Sequence, residues 1–368
     1  MKTTLALMSA VCLLAGCAGK SGSEAGGSGA VAVSERPAVP PTTLAPGEMV
    51  EVAKSDGYQW TGVAVSKTGR IFVCFPRWND PYLWAVAEVM PNGTLQPFPN
   101  VAMQTWDERL PPGDSFVCVQ SVYVDEADRL WVLDSGNPRF EGVKAGGAKL
   151  MGFDLSPGDD ESPDMVVHFG PELAPLDAYL NDVRVDAERN VAYMTDSGLG
   201  AIVVVDFKNG VALRRLDNTP PTLAKDRVPV VGGRELIFQR GPAKGKPARI
   251  HSDGIILSDD GNYLAWQALS GSTLYRVPTD VLRNPKVSDR EVESAVESLG
   301  ETVVTDGMEM DGAGNIYLSA IELDAIIVRR RGGVMAPLVR DDRLAWPDSF
   351  AWGPDGALYV TTSQIHRT

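Results

Sequence analysis

Apolar and polar positions along the chain fall into one phrase that recurs six times: an apolar strand, a tight polar turn, and a second strand rich in aromatic and β-branched residues. The copies read GVAVSKTGRIFVCF from Gly62, SVYVDEADRLWVLD from Ser121, DVRVDAERNVAYMT from Asp182, GIILSDDGNYLAWQ from Gly254, GMEMDGAGNIYLSA from Gly307 and SFAWGPDGALYVTT from Ser349. Each predicts a β-hairpin. Further strands follow, such as LWAVAEV from Leu83 and TLQPF from Thr94 in the first copy. A four-stranded unit of this size cannot bury its own faces, and such units usually close radially against one another. The expected fold is all-β, a six-bladed β-propeller.

Two copies depart from the plan. The fourth carries the largest insertion, in which Thr279 is read as the cap of a helical turn and SDREVESAVESL from Ser288 as a short exposed helix. In the sixth, few residues follow the second strand. The segment MVEVAK from Met49 alternates and has no partner in blade 1, so it is expected to join blade 6 and close the ring non-covalently. Even so, that blade is expected to be one strand short.

The N-terminus carries one lysine, Lys2, and an apolar run from Leu5 to Leu14, well short of the roughly 20 apolar residues of a membrane span. The run ends in LAGC at Leu14–Cys17, the pattern of a bacterial lipoprotein cleavage site. Residues 1–16 are therefore expected to be a signal peptide, with Cys17 lipidated. Residues 17–46, rich in Gly, Ser, Ala and Pro, read as a flexible tether, and 47–368 as the propeller. The expected location is the outer membrane, the periplasm or the cell surface. The lipid anchor is the expected membrane contact, and the propeller a monomer.

A net charge of −14 argues against a nucleic-acid partner. Beyond Cys12 and Cys17, only Cys74 and Cys118 are left, which allows one disulfide or two separately buried thiols.

In a propeller the innermost strand of each blade starts beside the axis, so the residues just before each copy should meet in one funnel. They are Trp60 and Thr61, Gln120, Asn181 with Asp182, His251, Ser252 and Asp253, Asp306, and Trp346 with Asp348. Converging carboxylates either take up protons or bind a cation. Oxygen donors without cysteine suit Ca²⁺ or another hard divalent cation, and a merely polar, water-filled funnel is the alternative. His251, two residues from Asp253, is the candidate for proton transfer among three histidines. The two DSG triplets, at Asp134 and Asp196, read as turn devices because they recur at equivalent positions.

LWVLDSG from Leu130, NDVRVD from Asn181, AYMTDSG from Ala192, HSDGIILSDDGNYLAW from His251, DGMEMDGAGNIYLS from Asp306 and WPDSFAWGPDGALYVT from Trp346 occur in order. In these motifs the chain resembles the major royal jelly protein/Yellow family, in its bacterial, L-dopachrome tautomerase-related branch. That resemblance implies dopachrome-converting chemistry or the binding of small aromatic amines. A more distant likeness runs to the senescence marker protein/gluconolactonase propellers, which hold a divalent cation with one Glu, two Asn and one Asp. Here Asn181 and Asp306 fall on ligand positions, Asp253 replaces the second Asn, and the Glu is missing, with Trp60 and Thr61 near its place.

Three functions follow as expectations. One is an enzyme acting on a small cyclic substrate by tautomerisation or lactone opening, with Asp253 or His251 as base and Asp306 or a cation polarising an oxygen. The second is a non-catalytic binder of aromatic amines, with Tyr58, Trp60, Trp346 and Phe350 supplying ring faces and Gln120, Asn181, Asp182 and Asp348 polar contacts. The third is an interaction role for a tethered propeller.

Overall fold

The structure is a computed structural model describing residues 4–8, 47–80, 82–156, 162–239, 241 and 243–367. Cys17 and the tether 17–46 lie outside the described residues. Six four-stranded sheets form the body, each hairpin phrase supplying the two inner strands of one sheet. The innermost strands are Val63–Val65, Val119–Val124, Leu180–Asp186, Ser252–Leu257, Thr305–Met310 and Pro347–Trp352. Each touches the next, and the last touches the first, so the ring closes.

Apolar side chains on the two faces of each sheet meet those of both neighbours, giving one core per blade junction. Phe72 and Phe98 meet Phe153 between blades 1 and 2, and Trp131 stacks on Phe207 between blades 2 and 3 at 5.0 Å. Trp266 packs with Tyr193 between blades 3 and 4, and Leu318 with Ile256 between blades 4 and 5. Phe350 and Tyr317 fill the next junction, and Trp60 with Tyr359 the seam between blades 6 and 1. Burying one such side chain is worth about 1.5–3 kcal/mol, so the ring is held by its junctions rather than by a central core. Outer strands face water on one side, and Met165–His168 accordingly alternates between half-buried and exposed positions.

Blade 6 takes Met49–Glu51 as its outermost strand, as its alternation suggests. The blade is not a strand short. Thr4–Met8, within the segment read as a signal peptide, runs parallel to both Ala357–Thr362 and Met49–Glu51 and lies between them. In blade 4, Ser288 closes a capping box with Glu291 on the helix Asp289–Ser294. The helix is shorter than its sequence suggests, because Glu297–Glu301 forms the outer strand. Thr279 is not a cap. It is the first residue of Thr279–Arg283, and its hydroxyl donates to the Gly261 carbonyl at 2.6 Å.

Both cysteines are buried, separate thiols. The Cys74 thiol joins two blades, since its Sγ accepts the Gly62 N–H at 3.2 Å and donates to the Gln120 carbonyl of blade 2, also at 3.2 Å. Thr195 stands at the same place in blade 3, accepting the Asp182 N–H at 3.2 Å and donating to the Asp253 carbonyl of blade 4 at 2.6 Å. Thr361 in blade 6 repeats this with the Ser349 N–H and the Thr61 carbonyl, which joins the last blade to the first.

Candidate functional site

In blades 2 to 6 the pairing of the inner strand slips near its start, so that it carries one residue more than its partner strand. A β-bulge of this kind turns a side chain out of the ladder. The extra residue is Gln120 in blade 2, and the other bulges hold Asn181 with Asp182, Asp253 with Gly254, Asp306 with Gly307, and Asp348 with Ser349. Gly254 is required by its surroundings, because a Cβ there would press into the Asp306 carbonyl oxygen of the next blade.

The bulges bring Asp182, Asp253, Asp306 and Asp348 from four blades into one buried group. Asp253 and Asp306 share a hydrogen bond, which requires a proton between them. Burial pushes Asp253 well above the usual carboxylate range, and the charges of Asp306, Asp182 and Asp348 push the same way. Burial raises Asp306 to about 7, against the downward pull of the Trp346 Nε1–H, which donates to its Oδ2 at 2.6 Å. Asp348 is raised well above its ordinary value by burial and Asp306, although Ser363 and Ser349 donate to it at 2.6 and 3.0 Å. Asp182 is also raised by burial, with Arg184 and Ser121 opposing. One atom is left over. Among the described residues Asp253 Oδ1, in a residue only 2 % exposed, has no hydrogen-bond partner.

Gln120 and Asn181 form a separate polar chain beside this group. Trp78 Nε1 donates to Tyr179 Oη at 2.7 Å, Tyr179 Oη to Gln120 Oε1 at 2.9 Å, Gln120 Nε2 to Asn181 Oδ1 at 3.0 Å, and Asn181 Nδ2 to Ser197 Oγ at 3.1 Å.

His251 stands apart from the axial carboxylates. Its Nδ1 accepts the Ala224 N–H at 2.9 Å, burial lowers its pKa, and its charged neighbours are Asp196 and Arg249 rather than the axial group. Trp60 and Phe350 are buried in blade junctions, with half-buried Tyr58 packed beside Trp60, and Phe350 also edges the open cavity described below. Trp346 is buried too, stacked on His366 at 5.9 Å, with Val231 of the hairpin Val230–Val231/Arg234–Glu235 packed in the same cluster. The acidic group is therefore enclosed rather than set at an open mouth.

The donor set, all oxygen, has the chemistry of a hard cation site. Its arrangement does not. Asn181 Oδ1 is taken by Gln120, Asp306 Oδ2 by Trp346 and both Asp348 oxygens by serines. Among the described residues no three His, Cys, Asp or Glu side chains stand together as metal ligands. The raised pKa values of Asp253, Asp306 and Asp348 favour proton retention as the way these carboxylates relieve their repulsion.

Open space lies at the other end of the axis, a cavity of about 580 Å³ at the ends of the inner strands. A void of about 10 Å³, lined by Asp182, Arg184, Met308 and Phe350, stands between the two. Arg184 and Glu309 on this side were missed in the sequence, although period-two alternation from Asp182 puts Arg184 on the same face.

The DSG aspartates are turn devices. Asp134 accepts the N–H groups of Val117, Cys118 and Gly136 at 2.7–2.9 Å and pairs with Lys149 at 2.8 Å, while Asp196 accepts those of Tyr179, Gly198 and Leu199 at 2.8–3.2 Å.

No curated protein sequence matches the chain. Among solved structures, it is similar to a putative gluconolactonase at 15 % identity, with 84 % of this chain and 88 % of that one covered and a TM-score of 0.51. It is also similar to a gluconolactonase from Xanthomonas campestris at 12 % identity, covering 83 % and 84 % with a TM-score of 0.51. At such identities the likeness is one of fold alone. The profile of the major royal jelly protein family matches residues 117–352, nearly two-thirds of the sequence, from the strand entering blade 2 to the end of the inner strand of blade 6. With that match over the segment that carries Gln120 and the four axial aspartates, the chain belongs to the major royal jelly protein family.

Proposed function

We propose that this propeller is an exported, lipid-anchored protein that binds a small cyclic or aromatic substrate at its axis and isomerises it by moving a proton. The observation that carries this reading is the unpartnered Asp253 Oδ1 within a buried, proton-sharing group. A desolvated acceptor without a donor is costly, by about 1–3 kcal/mol, and a ligand O–H or N–H would supply that donor once the packing of Trp346 against Val231 shifts to admit it.

Isomerisation between carbon and oxygen needs one group to take a proton and one to give it. Asp306, raised to about 7, suits the base, since proton transfer is most effective from a group titrating near the working pH. Asp253, pushed well above the usual carboxylate range by burial, holds the proton that goes to the substrate oxygen. The transfers exchange the protonation of the two carboxyls with no net gain or loss, so no co-reactant is required. Trp346 keeps Asp306 oriented and its pKa from rising further.

The test is turnover of dopachrome and of a sugar lactone by the purified protein, Asp306→Asn and Asp253→Asn. Loss of dopachrome conversion by at least about 100-fold in a folded Asp306→Asn supports the reading. Ligand-induced thermal stabilisation without turnover replaces it with a binding module for aromatic amines. Stoichiometric divalent metal on elemental analysis, with lactone opening, replaces it with a metal-dependent hydrolase. Export and anchoring rest on LAGC at Leu14–Cys17; cleavage there would take Thr4–Met8 out of blade 6 and leave the mature blade with three strands, and Cys17→Ala should move the protein out of the membrane fraction.

A further inference from the structure

The open cavity at the far end of the axis is separate from the acidic group, and its polarity is graded. Arg184 forms its floor, reaching in from blade 3. The guanidinium is fixed by two carbonyls, Nη1 donating to Val183 O at 2.9 Å and Nη2 to Met308 O at 2.8 Å. These neutral acceptors fix its orientation, and a long ion pair with Glu309, Nη2 donating to Oε2 at 3.4 Å, compensates its charge in part, while the Glu309 Oε1 accepts the Met310 N–H. The Arg184 guanidinium carbon lies over the Tyr123 ring, 5.1 Å from its centroid, and the half-buried Trp352, its Nε1 on the Met310 carbonyl at 2.8 Å, also lines the cavity. The rim is mixed but mostly acidic: Asp259 and Glu188 are exposed and line the same cavity, while of its basic residues Arg189 is paired with Asp186 at 2.8 Å and Lys67 Nζ donates to the Glu126 carbonyl.

A lone cation would be drawn to the rim but repelled at the floor, and a lone anion would meet the reverse. A molecule with both charges meets neither penalty. We infer that this end of the channel is a second binding site, for a small aromatic zwitterion of the free amino-acid class, with its carboxylate on Arg184, its ammonium toward Asp259 and Glu188, and its ring between Tyr123 and Trp352. A space of about 580 Å³ lies within the usual range for small-molecule pockets. Proximity to the axial aspartates plays no part in this site, because the Arg184 constriction lies between them.

Three probes sharing one ring test this on the full chain: L-tryptophan with both charges, tryptamine with only the cation, and indole-3-propionate with only the anion. Calorimetric titration should give L-tryptophan an affinity at least about tenfold above either analogue, as expected for one added charge-assisted contact. Arg184→Gln should bring L-tryptophan down to the level of tryptamine, and Asp253→Asn should leave all three affinities unchanged. If Arg184→Gln does not fold, Glu309→Gln decides: removing the competing carboxylate should tighten L-tryptophan and indole-3-propionate several-fold, and no change would overturn the proposal. Tryptamine binding as tightly as L-tryptophan, absence of binding by all three, or loss of binding in Asp253→Asn would each overturn it as well. Because that last variant abolishes the isomerisation proposed above, failure of the one site is distinguishable from failure of the other.

Discussion

Trp346 Nε1 donates to Asp306 Oδ2 at 2.6 Å, a bond that crosses from blade 6 to blade 5 and ties an indole to the carboxyl best poised to exchange protons. It is the largest influence holding the Asp306 pKa down against burial. Trp346→Phe keeps the ring and removes the donor. The Asp306 titration should then move above about 7, and conversion at neutral pH should fall about tenfold, read from the pH–rate profile.

Raised carboxyl pKa values have a definite sign for stability. The folded state binds more protons than the unfolded one between the unfolded Asp value, about 3.9, and the raised folded value, so stability falls as pH rises through that interval. For Asp306 the window runs from about 4 to about 7. Thermal melting should give a Tm several degrees higher at the acidic end than at pH 8, and Asp306→Asn should flatten the slope. A Tm that climbs from pH 5 to pH 8 in the apo protein would contradict the proton-sharing account.

The Nδ1 of His251 is a structural acceptor, so an Asn side-chain oxygen can replace it. His251→Asn should keep most of the conversion, far from the loss of about 100-fold or more that follows removal of a general base. A loss of that size in the steady-state rate would return the base role to the histidine.

Cys74 acts as a hydroxyl would, receiving one N–H and donating to the next blade. Cys74→Ser should therefore hold stability better than Cys74→Ala, which should lose about 1–2 kcal/mol on denaturant unfolding. Burial pushes the Cys74 thiol up to about 12 and the Cys118 thiol to about 11, so neither should react with a maleimide at pH 8 until the protein is unfolded.

Lys149 and Asp134 form an ion pair with both side chains 0 % exposed. Lys149→Met strands the carboxylate and should cost about 3–5 kcal/mol in urea unfolding. An unchanged midpoint would mean that backbone N–H groups alone satisfy Asp134.

The ring was legible because the hairpin phrase recurs with its alternation intact, and the residue before each copy marked the axis. The bulges were less visible, yet they explain why Asp253 and Asp306 leave the ladder, and the small residues that follow, Gly254, Gly307 and Ser349, were their trace. Cys74, Thr195 and Thr361, near the ends of their second strands, carried the junction chemistry in plain sight. Local sequence could not reveal that the Ala224 N–H occupies His251, or that Trp346 and Val231 close one end while the other stays open. Such facts depend on contacts between distant segments. The short blade failed for the same reason, since Thr4–Met8 shows no partner until the ring is closed.

A bulge removes its residue from strand pairing, so the side chains at the hub are the ones on which the sheets depend least. Exchanging an aspartate there for an asparagine, a serine or a histidine alters what the axis binds without disturbing a single rung of the ladder. Substitution at those few positions can therefore change what the hub binds while the wheel around it stays the same.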